Sequence, residues 1–182
     1  YSNDDGQNLL VGAVNGVQST CAAVPIPKNA DGSDGNVLDT DAYKAMVADP
    51  NCFAMNQIFP GGYTPQFTGT IEDMSFFAGV KGDIGEWNYD FSAGTGSNKA
   101  SFGLKNSLNP SLGLDTPTDF DTGAYEQVET TVNLDFSRFI TIGGIEDISF
   151  ASGFEWRNES FEISQGDEAS WIAGPYANQG FN

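Results

Sequence analysis

Residues 128–137 read VETTVNLDFS, and their side chains alternate with a period of two. Val, Thr, Val, Leu and Phe take every second position, and Glu, Thr, Asn, Asp and Ser lie between them. Successive side chains of a β-strand point to opposite sides of a sheet. The stretch therefore predicts a strand with one apolar and one polar face.

The same alternation recurs at 74–81 (MSFFAGVK), 87–94 (WNYDFSAG) and 148–157 (ISFASGFEWR). The glycine-containing stretch GDIGE joins the first two runs, which predicts a hairpin. At GTGSN (94–98) the apolar phase changes, so we expect a bulge or a second turn there, and a turn or bulge also at RNES (157–160). The sequence predicts an all-β fold, an antiparallel meander of long hairpins.

The chain before this sheet has a different composition. Residues 1–69 are rich in Gly, Pro, Asn and Asp, so we expect a loop-rich first region and a β-hairpin region over 70–182. Within the first region, DTDAYKAMVADP predicts a short helix near 40–48. Thr40 or Asp39 can cap its start, and Pro50 stops it.

Two cysteines, Cys21 and Cys52, lie on either side of the predicted helix. Their spacing matches neither a metal site nor a CxxC redox motif. In an exported protein an even number of cysteines normally pairs. We therefore expect a Cys21–Cys52 disulfide that ties down the N-terminal loop region. The alternative is two unrelated buried thiols.

The overall composition excludes several classes of function. Against 25 Asp and Glu there are only 7 Lys and Arg, a formal charge of −18, and such a surface repels nucleic acid. The chain has no histidine, which removes Ser-His-Asp catalysis and His-ligated zinc. Hydrophobic residues make up 39% of the chain, enough to build an ordered core rather than a disordered acidic segment.

The acidic stretch NADGSDGNVLDTD offers oxygen ligands of the kind that calcium prefers. It lacks the spacing of an EF-hand, and a solvated turn followed by a helix cap would use the same residues. The calcium candidates are Asp31, Asp34, Asn36, Asp39 and Asp41.

Paired carboxylates occur at Glu72–Asp73 and Glu146–Asp147. Neighbours on a strand point to opposite faces, so neither pair is suited to acid–base catalysis. We expect no enzyme activity.

Two architectures have strands with one apolar face. In a sandwich-like sheet the apolar face is the core, whereas in a partial outer-membrane-type barrel it meets lipid. Some runs reach the ~10 residues of a membrane-spanning strand. Trp87, Trp156 and Trp171 fall near predicted strand or turn ends, as girdle residues of a barrel do, although sandwiches also place tryptophan at their rims.

A nine-residue sequence occurs twice in similar form, as IEDMSFFAG at 71–79 and IEDISFASG at 145–153. We interpret the two copies as the openings of two successive strands with the same direction in one meander. Two copies are too few for a solenoid.

Residues 56–182 resemble the middle of the barrel of TonB-dependent outer-membrane receptors. The resemblance rests on TIEDMSFFAGVKGDIGEWNYDFSAGTGSNKASFGLKNSLNPSLGLDTPTDFDTGAYEQVETTVNLDFSR and on ISFASGFEWRNESFEISQGDEASWIAGPYANQGF. Within these stretches KNSLNPSLG, NLDFSR and GFEWRNESFEI are typical of the family. The first region, with its cysteine pair, would then be a long extracellular loop.

The resemblance implies nutrient uptake (an iron chelate, a cobalamin or a glycan) across the outer membrane of a Gram-negative bacterium. No plug domain or TonB-contacting box is visible, and the strands are too few for the family's barrel. We therefore expect a receptor segment that cannot transport by itself, with the rest of the barrel and lipid as partners. The alternative is a self-assembling extracellular fibre or tube subunit derived from such a receptor, whose partners are copies of itself. Calcium is the candidate ion that would stabilise this assembly.

Overall fold

The computed structural model describes residues 6–181, which divide into two compact units. The first unit combines the chain up to residue 68 with segments 103–122 and 166–181, and the second consists of 69–102 and 123–165. The unit boundary at 68/69 lies beside the division at 69/70 drawn from the sequence. The assignment of 1–69 and 70–182 as domains remains a prediction.

The first unit contains short strands and one helix. Strand β1 (Asn8–Leu9) pairs antiparallel with β3 (Val24–Pro25), and β2 (Gly12–Ala13) pairs with β4 (Cys52–Phe53). Helix α1 spans Asp41–Ala48. Short 3-10 helices occupy Gln18–Thr20, Val37–Asp39, Met55–Gln57, Pro110–Asp115, Glu168–Ser170 and Ala177–Gln179.

Helix α1 confirms the predicted helix. The Thr40 hydroxyl oxygen accepts a hydrogen bond from the Tyr43 N–H, which satisfies one of the free donors at the start of the helix. Tyr43 and Met46 point into a small core with Leu9 and Val24. Burial raises the pKa of the Tyr43 phenol.

The predicted disulfide is present. The two sulfur atoms of Cys21 and Cys52 are bonded, and the link closes a loop with a sequence separation of 31 that contains α1. A second core lies beside β4, where Phe53 packs against Tyr176 and Phe181 at ring-centroid distances of 4.7 and 5.2 Å. Segments far apart in sequence thus share one interior.

Four long strands form an antiparallel sheet in the order β5-β6-β7-β8, which confirms the all-β meander. They are β5 (Gln66–Ile84), β6 (Trp87–Lys105), β7 (Phe120–Ile142) and β8 (Ile145–Ser164).

Two-residue turns connect the hairpins at one end of the sheet. Gly85 begins the β5–β6 turn with φ of 65°, and Gly143 and Gly144 form the β7–β8 turn with φ of 59° and 86°. Tight hairpin turns of this kind need positive φ, which glycine adopts without strain. At the other end of the strands, β6 and β7 are joined by the longer connection 106–119.

The predictions of a bulge or turn at 94–98 and at 157–160 are wrong. Strand β8 pairs with β7 without a register shift through Arg157, Asn158 and Glu159, and the only shift in this hairpin lies between Ile140 and Ile142. Strand β6 likewise continues through GTGSN. The local pattern misleads because the apolar residues of β6 change from one face of the sheet to the other while the strand itself keeps its alternation.

Contacts of the even-numbered β6 residues demonstrate this change of face. Gly94 lies against the Phe77 ring, Asn98 donates to Asp73, and Phe102 packs edge-on against Tyr125 at 5.4 Å. All of them lie on the same face, so no residue is skipped. Near the short turns the apolar side chains of β6 are odd-numbered, and near the other end they are even-numbered.

The two copies of the repeated nine-residue sequence do not occupy equivalent positions in their strands. Residues 71–79 lie inside β5, whereas 145–153 begin β8 directly after the turn. In an antiparallel sheet of this order, β5 and β8 run in opposite directions at opposite edges. The interpretation as two successive strands of the same direction is wrong, because three reversals of the chain separate the copies.

Candidate functional site

One face of the sheet is apolar over the half nearest the short turns, and we call it the apolar face. It carries even-numbered residues of β5, β7 and β8 and odd-numbered residues of β6, since the register pairs Leu134 with Phe154 and Trp87 contacts Phe150. Most of these side chains are exposed, with Met74 78% and Phe154 63% accessible. Five are half-buried: Trp87, Val132, Leu134, Ile140 and Ile148. The apolar face comprises Met74, Phe76, Val80, Ile84, Trp87, Phe91, Val132, Leu134, Phe136, Ile140, Ile148, Phe150, Phe154 and Trp156.

The opposite side of the same half is polar apart from the exposed Phe77 and Phe139, and we call it the polar face. A groove of about 700 Å³ runs along it, lined by residues that include Asp83, Asp90 and Asp135. Further along β8, Arg157 forms ion pairs of 3.2 Å with Glu155 and 3.6 Å with Glu159. Carboxylates dominate this face, so it suits contact with water or with a polar partner.

At the far end of the strands the aromatic residues lie on the polar-face side. Tyr125 packs against Phe102 on one side and against Phe161 on the other, with ring-centroid distances of 5.4 and 5.9 Å. The side of the sheet that carries apolar residues therefore inverts along the strands. This inversion limits the apolar face to the half that ends at the short turns.

A single arginine lies among the apolar residues near the short turns. The guanidinium carbon of Arg138 is 5.1 Å from the centre of the Trp87 ring, and its Nη2 donates to Glu86 Oε2 at 2.8 Å. Trp87 also meets Phe150 edge-on at 5.9 Å. We call Glu86, Trp87, Arg138 and Phe150 the arginine–tryptophan cluster.

The calcium candidates have other partners in the structure. Asp31 accepts hydrogen bonds from the Ser33 hydroxyl and N–H, which hold the pKa of its carboxyl below the ordinary value of 3.8. Asp34 pairs with Lys28. The Asn36 side-chain oxygen accepts a hydrogen bond from the Leu38 N–H, and its amide nitrogen donates to the Asp39 carboxylate. Asp41 is the first residue of α1.

These contacts are compatible with the alternative, a solvated turn followed by a helix cap, and calcium binding by these residues stays a prediction. Across residues 6–181, no three His, Cys, Asp or Glu side chains are grouped so that they could hold a metal ion. The pair Glu72–Asp73 behaves as the alternation predicts, since Asp73 accepts from Asn98 on the polar face and Glu72 is the next residue along the strand. The pair Glu146–Asp147 instead lies at the register shift beside the turn, where Asp147 has a φ of 59°.

A smaller groove of about 360 Å³ in the first unit is lined partly by Asn109, Ser111 and Trp171. The Asn109 amide donates to the carbonyls of Ala169 and Ile172, and its oxygen accepts from Ser111. Its polar atoms therefore hold the segment 166–181 in place.

Sequence reasoning did not find the arginine–tryptophan cluster. Its members come from three strands and a turn, and only the register that places Arg138 opposite Phe150 brings them together. An available signal was the single cation within an apolar alternation at 132–140.

In the part of the chain that the structure describes, no helix is long and apolar enough to cross a membrane. A scan of the sequence against protein-family models found no match, and a search of curated proteins found none either.

Proposed function

We propose that β5–β8 are four consecutive wall strands of a TonB-dependent outer-membrane receptor, a barrel that takes up a nutrient such as an iron chelate, a cobalamin or a glycan. The observation that carries the proposal is the exposed apolar face, bounded along the strands and backed by a polar face. The resemblance of residues 56–182 to this family supports the same function.

The dimensions of the apolar face fit a lipid bilayer. On β5 it extends from Met74 to Ile84, a rise of about 33 Å at ~3.3 Å per residue. At the ~40° tilt of barrel strands this corresponds to about 25 Å along the membrane normal, the height of the apolar band of outer-membrane barrels. Trp87 and Trp156 lie near its two limits, where barrels carry aromatic girdles.

The lengths of the connections between the strands also fit an outer-membrane barrel. Outer-membrane barrels have short turns at the periplasmic end and long loops at the extracellular end. Here the two-residue turns after β5 and β7 are all at one end, and the connection 106–119 is at the other. On this reading the chain before β5, with its disulfide, is extracellular, where disulfides persist.

Four strands do not close a barrel, so the wall needs further strands beside β5 and β8. The strands described here supply a part of the wall and do not transport a nutrient by themselves. The polar face then lines the interior of the receptor.

A second candidate function is a self-assembling extracellular fibre or tube. It is favoured by the outer strands β5 and β8, which each have one sheet neighbour among the described residues. Edges of this length pair readily with another copy. In that case the apolar face would be covered by protein rather than by lipid.

The decisive experiment places a fluorophore on each face in turn. Phe154 and Glu155 are neighbours in β8 on opposite faces, so Phe154→Cys and Glu155→Cys form a matched pair. The native cysteines are joined in a disulfide and do not react with a bimane label. The labelled full-length protein is prepared in vesicles with and without brominated phospholipid, which quenches bimane on contact.

We expect bromolipid to quench the label at 154 and to leave the label at 155 bright. If the label at 154 is not quenched and electron microscopy shows filaments, the receptor proposal is wrong and the self-assembling fibre is the function supported. Equal quenching at both positions would contradict both functions, because the two faces would then be equivalent.

A further inference from the structure

We infer that the arginine–tryptophan cluster binds a phospholipid, with the phosphate on Arg138 and an acyl chain in the neighbouring groove. The inference rests on the proposed function, since it requires the apolar face to lie in a bilayer, and it names a specific lipid partner for that face.

The first support is the fixed position of the guanidinium. Trp87 lies against it, Phe150 braces Trp87, and the β7–β8 register places Arg138 opposite Phe150. An arginine held by ring contacts loses little further side-chain freedom when it binds an anion. The site is thus organised before a ligand arrives.

The second support is the unused hydrogen-bonding capacity of Arg138. A guanidinium has five N–H donors, and the described residues provide a single hydrogen-bond acceptor, Glu86. The Arg138 Nε is buried without a partner. The Glu86 side chain is 78% exposed, so solvent weakens this ion pair. A phosphate offers several strong acceptor oxygens that match the guanidinium fork.

The third support is the apolar groove beside the cation. Ile84, Trp87, Phe136, Phe150 and Ser152 line a volume of about 460 Å³. A pocket with hydrocarbon walls next to one cation matches a molecule that has a phosphate attached to an alkyl chain. Inorganic phosphate would leave the groove empty, and a diacylglycerol would leave the arginine unpaired.

The fourth support is the position along the strand. Arg138 lies on the same side of the sheet as the apolar face, since it pairs with Phe150. It is the only Lys or Arg on that side within 74–84, 87–97, 130–142 and 146–156, and it lies near the short turns. In the proposed orientation these turns are periplasmic, so the cluster lies at the level of the phospholipid headgroups. Cationic and aromatic side chains are favoured at this depth, where one end of the side chain is apolar and the other is wet.

The test is native mass spectrometry of the full-length receptor, titrated in detergent with dioleoylphosphatidylglycerol, dioleoylglycerol or inorganic phosphate. We expect Arg138→Gln to weaken phosphatidylglycerol binding by about tenfold or more, since a charged hydrogen bond is lost. The phosphatidylglycerol affinity of Arg138→Lys should lie between those of the parent and Arg138→Gln, because lysine keeps the positive charge but lacks the two-pronged guanidinium. Arg157→Gln, on the polar face, is the matched control and should leave binding unchanged.

Equal phosphatidylglycerol affinity in the parent and Arg138→Gln, with both folded by circular dichroism, would overturn the inference. Dioleoylglycerol binding as tight as phosphatidylglycerol, or full displacement of the lipid by inorganic phosphate, would overturn it too. The bimane label at 154 separates the two proposals. If that label contacts lipid and Arg138 has no effect, only the phospholipid site fails; without lipid contact at 154, the receptor function fails as well.

Discussion

At the scale of single residues, Gln179 has an unusual role for a polar side chain. Its amide nitrogen donates to the Ala13 carbonyl at 2.9 Å, and its amide oxygen accepts from the Ala13 N–H at 2.8 Å. Gln179 is 6% accessible and Ala13 is fully buried. The side chain thus acts as an additional piece of backbone beside β2, and it satisfies two polar groups that water cannot reach.

We expect Gln179→Leu to destabilise the first unit by about 2 kcal/mol, because it leaves the Ala13 N–H buried without a partner. The Ala13 C=O keeps its hydrogen bond from the Gly16 N–H at 3.0 Å. The measurement is hydrogen exchange of the Ala13 amide, which should become faster by about 30-fold. Gln165→Leu is the control, since Gln165 is exposed at the end of β8. Unchanged exchange at Ala13 in Gln179→Leu would mean that the pair contributes nothing to stability.

No sequence pattern indicates this pair, because its members are 166 positions apart and glutamine has no preference for such a role. The Thr40 cap, by contrast, was predictable, since all of its partners lie within one turn of the chain. The calcium candidates fall between these cases. Their residue types suit a metal, but Asp31 and Asn36 accept hydrogen bonds from N–H groups two residues ahead in their own turns, and Asp34 pairs with Lys28.

At the scale of elements, the disulfide and the long strands depend on different forces. The Cys21–Cys52 bond restricts a loop that contains α1, and the chain-entropy model assigns roughly 3.7 kcal/mol to a loop of this length. The strands β5–β8 are held by their hydrogen-bonded ladder, and no cysteine lies in them. The two elements should therefore respond separately to a reducing agent.

We expect reduction of the disulfide to increase hydrogen exchange in residues 21–52 and to leave exchange in β5–β8 unchanged. Cys21→Ala/Cys52→Ala provides the matched form without a reducing agent, and it should show the same pattern. If the strands opened together with the loop, the disulfide would be supporting the whole molecule rather than one region.

The strands themselves were predictable because a period of two survives over long runs such as 128–137. The lengths of these strands were not predictable. A local reading treats a change of apolar phase as a break in the strand, and at 94–98 the phase changes within a continuous strand. Only contacts such as Asn98 with Asp73 show that the strand continues and that its environment is what changes.

At the scale of the whole molecule, the proposed receptor and the fibre differ in how the sheet is completed. A barrel wall needs neighbours for both outer strands, and the resemblance covers a family whose barrels have many more strands than four. The receptor proposal therefore requires a protein larger than the 19.4 kDa of these 182 residues. A fibre subunit needs only further copies of the same chain.

We expect an antibody against residues 29–36 to detect a protein several times heavier than 19.4 kDa in outer-membrane fractions of the native source. The sample should run faster on a gel before boiling than after it, as closed barrels do. A denatured mass near 19.4 kDa in the culture medium would instead support the self-assembling subunit.

The Ala13–Gln179 pair also has a consequence for biosynthesis. A chain emerges from the ribosome in order, so residue 13 is exposed long before residue 179 has been translated. During this interval the first segment lacks both Gln179 and Phe181, which its interior later contains. The segment around Ala13 therefore cannot complete its interior until the residues near 179–181 have been synthesised.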